Sequence, residues 1–110
     1  MKKNNFSIVL TTVDSKEIAH KLAQKLVKSK LAACVQLSSI TSIYYWDKKL
    51  NNENEIMLRI KICNTNYTKV QNFIKKNHPY ELPQIIQTPI LNGYPPYLEW
   101  IAENSTKEPN

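Results

Sequence analysis

The alternation of side chains over residues 56–63 restricts the fold more than any other part of the chain. Aliphatic residues stand at every second position, separated by a methionine, an arginine, a lysine and a cysteine. Successive side chains of a strand point to opposite faces, so this pattern predicts a β-strand with two different faces. The core face is expected to carry Ile56, Leu58, Ile60 and Ile62. The other, mixed face is expected to carry Met57, Arg59, Lys61 and Cys63.

The preceding residues predict a partner strand. An apolar stretch begins at Ala32 and continues to Trp46, with a bulge expected near Ser38 and Ser39. Residues 47–52 are polar and typical of a turn. The two strands are therefore expected to pair as one long antiparallel hairpin.

Two helices and two more strands are predicted around this hairpin. Asp14 and Glu17 resemble a capping box, and apolar residues then recur at helical spacing to about Lys30. Asn64 or Thr65 can cap a second helix. The other predicted elements are a first strand over 6–12, a fourth strand over 84–90 and a short terminal helix over 96–102. Pro89 indicates that the fourth strand lies at an edge or ends there.

The resulting order is β-α-β-β-α-β plus a C-terminal helix. It predicts an α+β, ferredoxin-like fold with a four-stranded antiparallel sheet and both helices on one face. The mixed face is too apolar for open water and too polar for a core, so we expect a second chain to cover it. The 110 residues fit a single domain, with a core over about 6–105 and a polar tail.

Composition excludes several classes of protein. No apolar run is long enough for a membrane span or a signal-peptide core, so we expect a cytoplasmic protein. Cys34 and Cys63 form no CxxC motif, and we expect both to be small buried residues.

The net charge of +6 comes from lysines dispersed along the chain, which is weak evidence for nucleic acid. Five of them share the first predicted helix and are expected to form its solvated face: Lys16, Lys21, Lys25, Lys28 and Lys30.

Proteins with this order of elements also perform other functions, but those functions require residues that this chain lacks. RNA-recognition domains stack bases on aromatic residues of the central strands, and the third predicted strand has none. Soft-metal carriers need a CxxC in the first loop, and phosphate-binding loops need glycine; residues 11–15 contain neither. We therefore expect no nucleic acid, no membrane and, because no catalytic arrangement is visible, no enzymatic activity.

The segment 78–83 presents an imidazole, a phenol and a carboxylate between two prolines. Each proline fixes its own φ and favours extended geometry at the residue before it. Polar and aromatic groups held on such a stiff segment suit a binding site. The alternative is that His78 and Pro79 simply end the second helix.

Four stretches together resemble the CutA divalent-cation-tolerance family: 31–35, 40–46, 78–86 and 97–101. They occur in the family's order, and the resemblance covers about residues 6–105. It implies a ferredoxin-like subunit assembled as a homotrimer, similar to that of the PII signalling proteins, in which long strands meet neighbouring subunits edge to edge.

The resemblance also implies candidate metal ligands. The family's proposed copper ligands are a cysteine at the end of the first strand and histidines before the Pro-Tyr pair. Here Thr11 and Asn77 occupy two of those positions, and only His78 matches. Glu81 can add an oxygen ligand. Copper or another divalent cation would then bind weakly, since one imidazole without a thiolate makes a weak site. The alternative is a helix-terminal histidine stabilised by the helix dipole.

A second candidate site is a cleft between subunits, formed by residues that match recurring family positions: Trp46, Lys61, Tyr80, Glu81, Tyr97 and Trp100. Aromatic walls with one cation and one carboxylate suit a small polar or anionic ligand, or a loop of a partner protein. The alternative is that the aromatic residues are interface packing and that Lys61 pairs with an acid across the trimer. A PII-like signalling module or a trimeric scaffold therefore remains open beside metal tolerance.

Overall fold

The computed structural model describes residues 5–106, so the first four residues and the end of the polar tail lie outside the described part. Its elements are β1 (Phe6–Val13), α1 (Lys16–Lys28), β2 (Cys34–Trp46), β3 (Lys49–Cys63), α2 (Tyr67–Asn77), β4 (Ile86–Pro89) and α3 (Pro95–Asn104). A single 3₁₀ turn, Asn64–Asn66, precedes α2. The predicted order of elements and the α+β class are confirmed.

The four strands form one sheet in the order β2-β3-β1-β4, and every neighbouring pair is antiparallel. The expected bulge is wrong, because β2 and β3 pair without interruption from Cys34 opposite Lys61 to Trp46 opposite Lys49. The polar turn is also shorter than expected. Asp47 and Lys48 alone make it, with φ values of 54° and 63°. Two consecutive positive φ values define the tight hairpin turn that matches strand twist, so the next residues can join β3 at once.

The distal half of this hairpin projects beyond the rest of the sheet. Strand β1 pairs with β3 only as far as Ile56, so residues 40–55 form a two-stranded ribbon, which we call the hairpin arm. Five of its large apolar side chains are exposed: Ile43, Tyr44, Tyr45, Trp46 and Leu50. A two-stranded ribbon alone is marginally stable in water. The arm thus presents these side chains without a third strand or a helix of the described residues to cover them.

The core lies between the sheet and the two helices α1 and α2. Leu58, Ile60 and Ile62 are fully buried, as the alternation predicted, and they pack with Leu26 of α1 and Ile74 of α2. Both helices therefore cover the same face of the sheet. On the mixed face, α3 covers the end near the C-terminus of β3.

The ends of several elements differ from expectation. Ser15, not Asp14, caps α1: its Oγ accepts a hydrogen bond of 3.2 Å from the Ile18 amide. Strand β4 is shorter than predicted, but it lies at the sheet edge and ends at Pro89, as the proline indicated. Helix α3 begins at Pro95, where its missing N–H costs no helical bond.

A buried polar cluster fixes the C-terminal end of α3 to the core. Asn66 is fully buried, and its Nδ2 donates to the Leu31 carbonyl at 3.1 Å and to Ser105 Oγ at 3.0 Å. Ser105 Oγ in turn donates to the Leu31 carbonyl and accepts from the Cys63 amide, each at 3.0 Å. Three distant parts of the chain, around residues 31, 63–66 and 105, meet at these two side chains. The expected helix caps, Asn64 and Thr65, lie in the 3₁₀ turn just before α2.

Candidate functional site

His78 is the residue directly after α2, and both of its ring nitrogens are engaged. Nε2 lies 2.8 Å from the Thr12 carbonyl oxygen, and the Tyr80 amide donates to Nδ1 at 3.1 Å. Because Nδ1 accepts, Nε2 carries the proton and donates to Thr12. Burial lowers the pKa of His78, and the bond to Thr12 offsets this only in part. The imidazole is therefore neutral at pH 7 in one defined tautomer.

Tyr80 connects the same segment to the base of the hairpin arm. Its hydroxyl donates a 2.6 Å hydrogen bond to Glu55 Oε2, and the rings of His78 and Tyr80 meet edge to face at 4.7 Å. Burial, followed by the bond to the Glu55 carboxylate, raises the pKa of Tyr80 far above its ordinary value. Glu55 is only 7% exposed. Because a buried carboxylate needs a donor, this bond holds the segment rigidly.

The other two candidate ligand positions are not equivalent to His78. Thr11 lies on β1 opposite Leu58, is fully buried and faces the core. Asn77 is exposed, and its Nδ2 donates to the Phe73 carbonyl. Across residues 5–106, no group of three or more histidine, cysteine, aspartate or glutamate side chains is close enough to hold a metal ion.

Thr11 also gives a prediction about stability. Within the described residues its Oγ1 has no hydrogen-bond partner, although the atom is buried. Thr11→Val keeps the shape of the side chain and removes the unsatisfied hydroxyl, so we expect the free energy of unfolding to rise by about 1 kcal/mol. Urea denaturation measures this, with Thr41→Val, at an exposed arm position, as the control. A lower denaturation midpoint for Thr11→Val would show that the hydroxyl is satisfied in solution.

The six predicted cleft residues form two separate groups in one subunit. Trp46, Tyr80, Glu81 and Leu82 line a cavity of about 210 Å³ between the hairpin arm and the segment 78–83. Glu81 is exposed there, next to the half-buried Tyr80.

The second group lies on the mixed face of the sheet. Lys61 Nζ donates to Tyr97 Oη at 2.9 Å and lies 5.0 Å from the centre of the Tyr97 ring. Tyr97 and Trp100 stack at 5.5 Å with planes 22° apart. The ammonium of Lys61 is thus held by an aromatic hydroxyl and ring, within the range of a cation–π interaction.

Sequence reasoning missed Glu55 and the Thr12 carbonyl, which hold the segment 78–83 in place. Glu55 stands one position before the alternating run and resembles any charged strand residue. Its hydrogen-bond donor, Tyr80, is 25 residues away in the chain. A backbone carbonyl leaves no signal in a sequence at all.

These features define an α+β protein with a four-stranded antiparallel sheet, a long projecting hairpin and a rigid His-Pro-Tyr segment at the hairpin base. Residues 7–104 match the family model described as CutA1 divalent ion tolerance protein. The chain belongs to this family.

Individual relatives agree with this membership. The divalent-cation tolerance protein CutA of Thermus thermophilus is 38% identical over 99 residues, covering 89% of this chain and 96% of the relative. Mouse CutA is 35% identical over 98 residues, covering 88% of this chain; the chain spans 55% of that relative's length.

Solved structures of the family share the fold. CutA1 from the psychrotrophic bacterium Shewanella sp. SIB1 has a TM-score of 0.90 at 40% identity, covering 94% of this chain and 98% of that chain. A structure from Archaeoglobus fulgidus, described as a periplasmic divalent cation tolerance protein, has a TM-score of 0.89 at 31% identity, covering 92% and 99%. In the described part of this chain, no helix has the length and apolar character needed to cross a membrane.

Proposed function

We propose that this chain acts in divalent-cation tolerance as a cytoplasmic homotrimer that binds Cu(II) or another divalent cation with modest affinity. Family membership supports the role in cation tolerance. The neutral imidazole of His78 carries the metal-binding part of the proposal. The role is binding rather than catalysis; a reproducible turnover abolished by His78→Ala would overturn that part.

The bonds of His78 explain why the affinity is modest. A neutral imidazole is a good ligand for Cu(II), but its lone pair on Nδ1 already accepts from the Tyr80 amide at 3.1 Å. A metal ion at Nδ1 has to displace that bond. Glu81, three residues further on, is exposed and offers an oxygen ligand. Thr11 and Asn77 add no thiolate or imidazole.

The hairpin arm and the sheet edges support the trimer. Strand β2 lies at one edge of the sheet and β4 at the other, so each subunit offers two unpaired edges. Subunits that pair edge to edge in a closed ring satisfy both edges and give the arm an apolar surface to pack against. The strand order, with both helices on one face, supports a ferredoxin-like subunit, for which we propose a PII-like assembly.

Calorimetric titration of the metal-stripped protein with Cu(II) tests the metal part. We expect wild type and His20→Ala to bind with similar affinity, because His20 is exposed on α1. His78→Ala is expected to weaken binding at least about tenfold, the loss of one good ligand. Equal affinities for the His78 and His20 variants would contradict the assignment of His78.

Lys61 favours a second candidate function, a PII-like module that binds a small anion between subunits. Within residues 5–106, both contacts of its ammonium are with Tyr97, a neutral residue, so its charge is available to an anionic ligand. On this account Lys61→Ala keeps the trimer and lowers the free energy of unfolding by no more than about 1 kcal/mol, through loss of the hydrogen bond and the ring contact with Tyr97. Urea denaturation at a fixed protein concentration measures this. A large loss of stability would instead indicate that Lys61 pairs with an acid across the interface.

A further inference from the structure

The charge of this chain is separated between its two layers. Helices α1 and α2 together carry seven lysines and one glutamate, a net charge of +6. The whole chain also has a net charge of +6, so everything outside these two helices is neutral on balance. The lysines are dispersed in the sequence, but the fold collects the excess positive charge on the helix-bearing face.

Part of this charge surrounds a small cavity. Lys21 and Lys25 of α1 line a cavity of about 150 Å³ together with Asn77 and Pro79, which lie at and after the end of α2. The last turn of α2 adds two more lysines, Lys75 and Lys76. We call these four lysines the basic cluster; all four are exposed: Lys21, Lys25, Lys75 and Lys76.

The basic cluster is unfavourable for the isolated protein. Lys21 and Lys25 are four residues apart on one helix, where like charges repel. Glu17, the single acid of both helices, stands four residues before Lys21 and offsets the repulsion at that lysine. Lys25 has no acid within one turn of α1, and Lys75 and Lys76 have none on α2. A ligand with several closely spaced negative charges removes this repulsion and releases counterions. The cluster therefore favours a polyanion over a single anion.

The surroundings of the cavity select among polyanions. Its other lining residues are aliphatic, Ile18 and Leu22, so it offers no aromatic ring on which a base could stack. Helices α1 and α2 expose one large apolar side chain, Val27, so they lack the apolar face of a membrane-binding helix. These surroundings favour a chain of phosphate groups over a single-stranded nucleic acid or a membrane surface, and a duplex is left for the binding experiment to distinguish.

We propose that the basic cluster binds inorganic polyphosphate, with one phosphate group seated in the cavity between α1 and the end of α2. The helices lie on the face of the sheet opposite the mixed face, so the cluster and the mixed face can be occupied at the same time. This proposal does not depend on metal binding at His78.

Fluorescence anisotropy of labelled polyphosphate tests the proposal on the full chain, at salt concentrations from about 50 to 200 mM. We expect wild type to bind. The double variant Lys21→Gln with Lys25→Gln is expected to bind at least tenfold more weakly, and the number of counterions released, measured as the slope of log affinity against log salt concentration, is expected to fall by about one to two. Lys75→Gln with Lys76→Gln is expected to act in the same direction. The control, Lys48→Asn with Lys49→Gln at the arm turn, removes the same charge elsewhere and is expected to change the affinity by less than about twofold.

Three results would overturn the proposal. They are no binding by wild type at the lowest salt concentration, equal losses in the helix and arm variants, and tighter binding to a DNA duplex of equal phosphate content. Thermal unfolding of each variant verifies that it is folded, as expected for exposed lysines on a helix surface.

Discussion

Replacing Asn66 with alanine is expected to lower the free energy of unfolding by about 2–3 kcal/mol. The substitution removes the donor to the Leu31 carbonyl and to Ser105 Oγ inside a fully buried cluster. Ser105 can still donate to Leu31, and Asn66 Oδ1, unsatisfied in the described residues, disappears as well. Because of these two effects, the expected loss in the free energy of unfolding is smaller than the summed contributions of the broken hydrogen bonds.

Urea denaturation at one fixed protein concentration measures this loss, since the apparent stability of an oligomer depends on concentration. Asn77→Ala is the matched control, because its Nδ2 makes one exposed bond to the Phe73 carbonyl. We expect the control to stay within about 0.5 kcal/mol of wild type. Equal effects of the two substitutions would mean that the Asn66 cluster does not hold α3 against the core.

Replacing Tyr45 and Leu50 with serine is expected to break the trimer. The two residues face each other across the hairpin arm and are 75% and 65% exposed in one subunit. In an isolated subunit their substitution costs little. If the two side chains pack against a neighbouring subunit, each substitution removes about 1.5–3 kcal/mol of the free energy that apolar burial contributes to association. The two substitutions together therefore predict a rise of at least about 100-fold in the dissociation constant of the trimer.

Light scattering after size exclusion, over a range of protein concentrations, measures the dissociation. Val27→Ser is the control, because Val27 is an exposed apolar residue of the helix-bearing face. We expect this variant to keep the mass of wild type. A double arm variant that also keeps the wild-type mass would show that the arm makes no interface.

The sequence predicted the sheet better than its connections. The alternation over 56–63 identified the buried face of β3 because a strand has only two faces. It could not exclude a bulge, since an extra residue changes the register without changing local composition. The two-residue turn was also missed: positive φ values at Asp47 and Lys48 are reached without glycine, the usual signal.

Only part of the candidate site could be predicted, because several of its contacts join residues that are far apart in the chain. His78 could be singled out from its neighbouring prolines, but its bond to Thr12 joins residues 66 positions apart. Lys61, Tyr97 and Trp100 were expected in one cleft and do lie together. Trp46, Tyr80 and Glu81 line another cavity, because the hairpin arm projects away from α3. The expected caps were Asn64 and Thr65, whereas Asn66 was not singled out, because its partners Leu31 and Ser105 are 35 and 39 residues away.

Native mass spectrometry of the metal-stripped protein, before and after one equivalent of Cu(II) per chain, tests the central claim most directly. We predict a complex of three times the 12.8 kDa of one chain, which retains copper in wild type and loses it in His78→Ala. A trimer that stays free of copper would contradict the metal part and favour an anionic ligand near Lys61. A monomer would contradict the assembly on which both candidate functions rest.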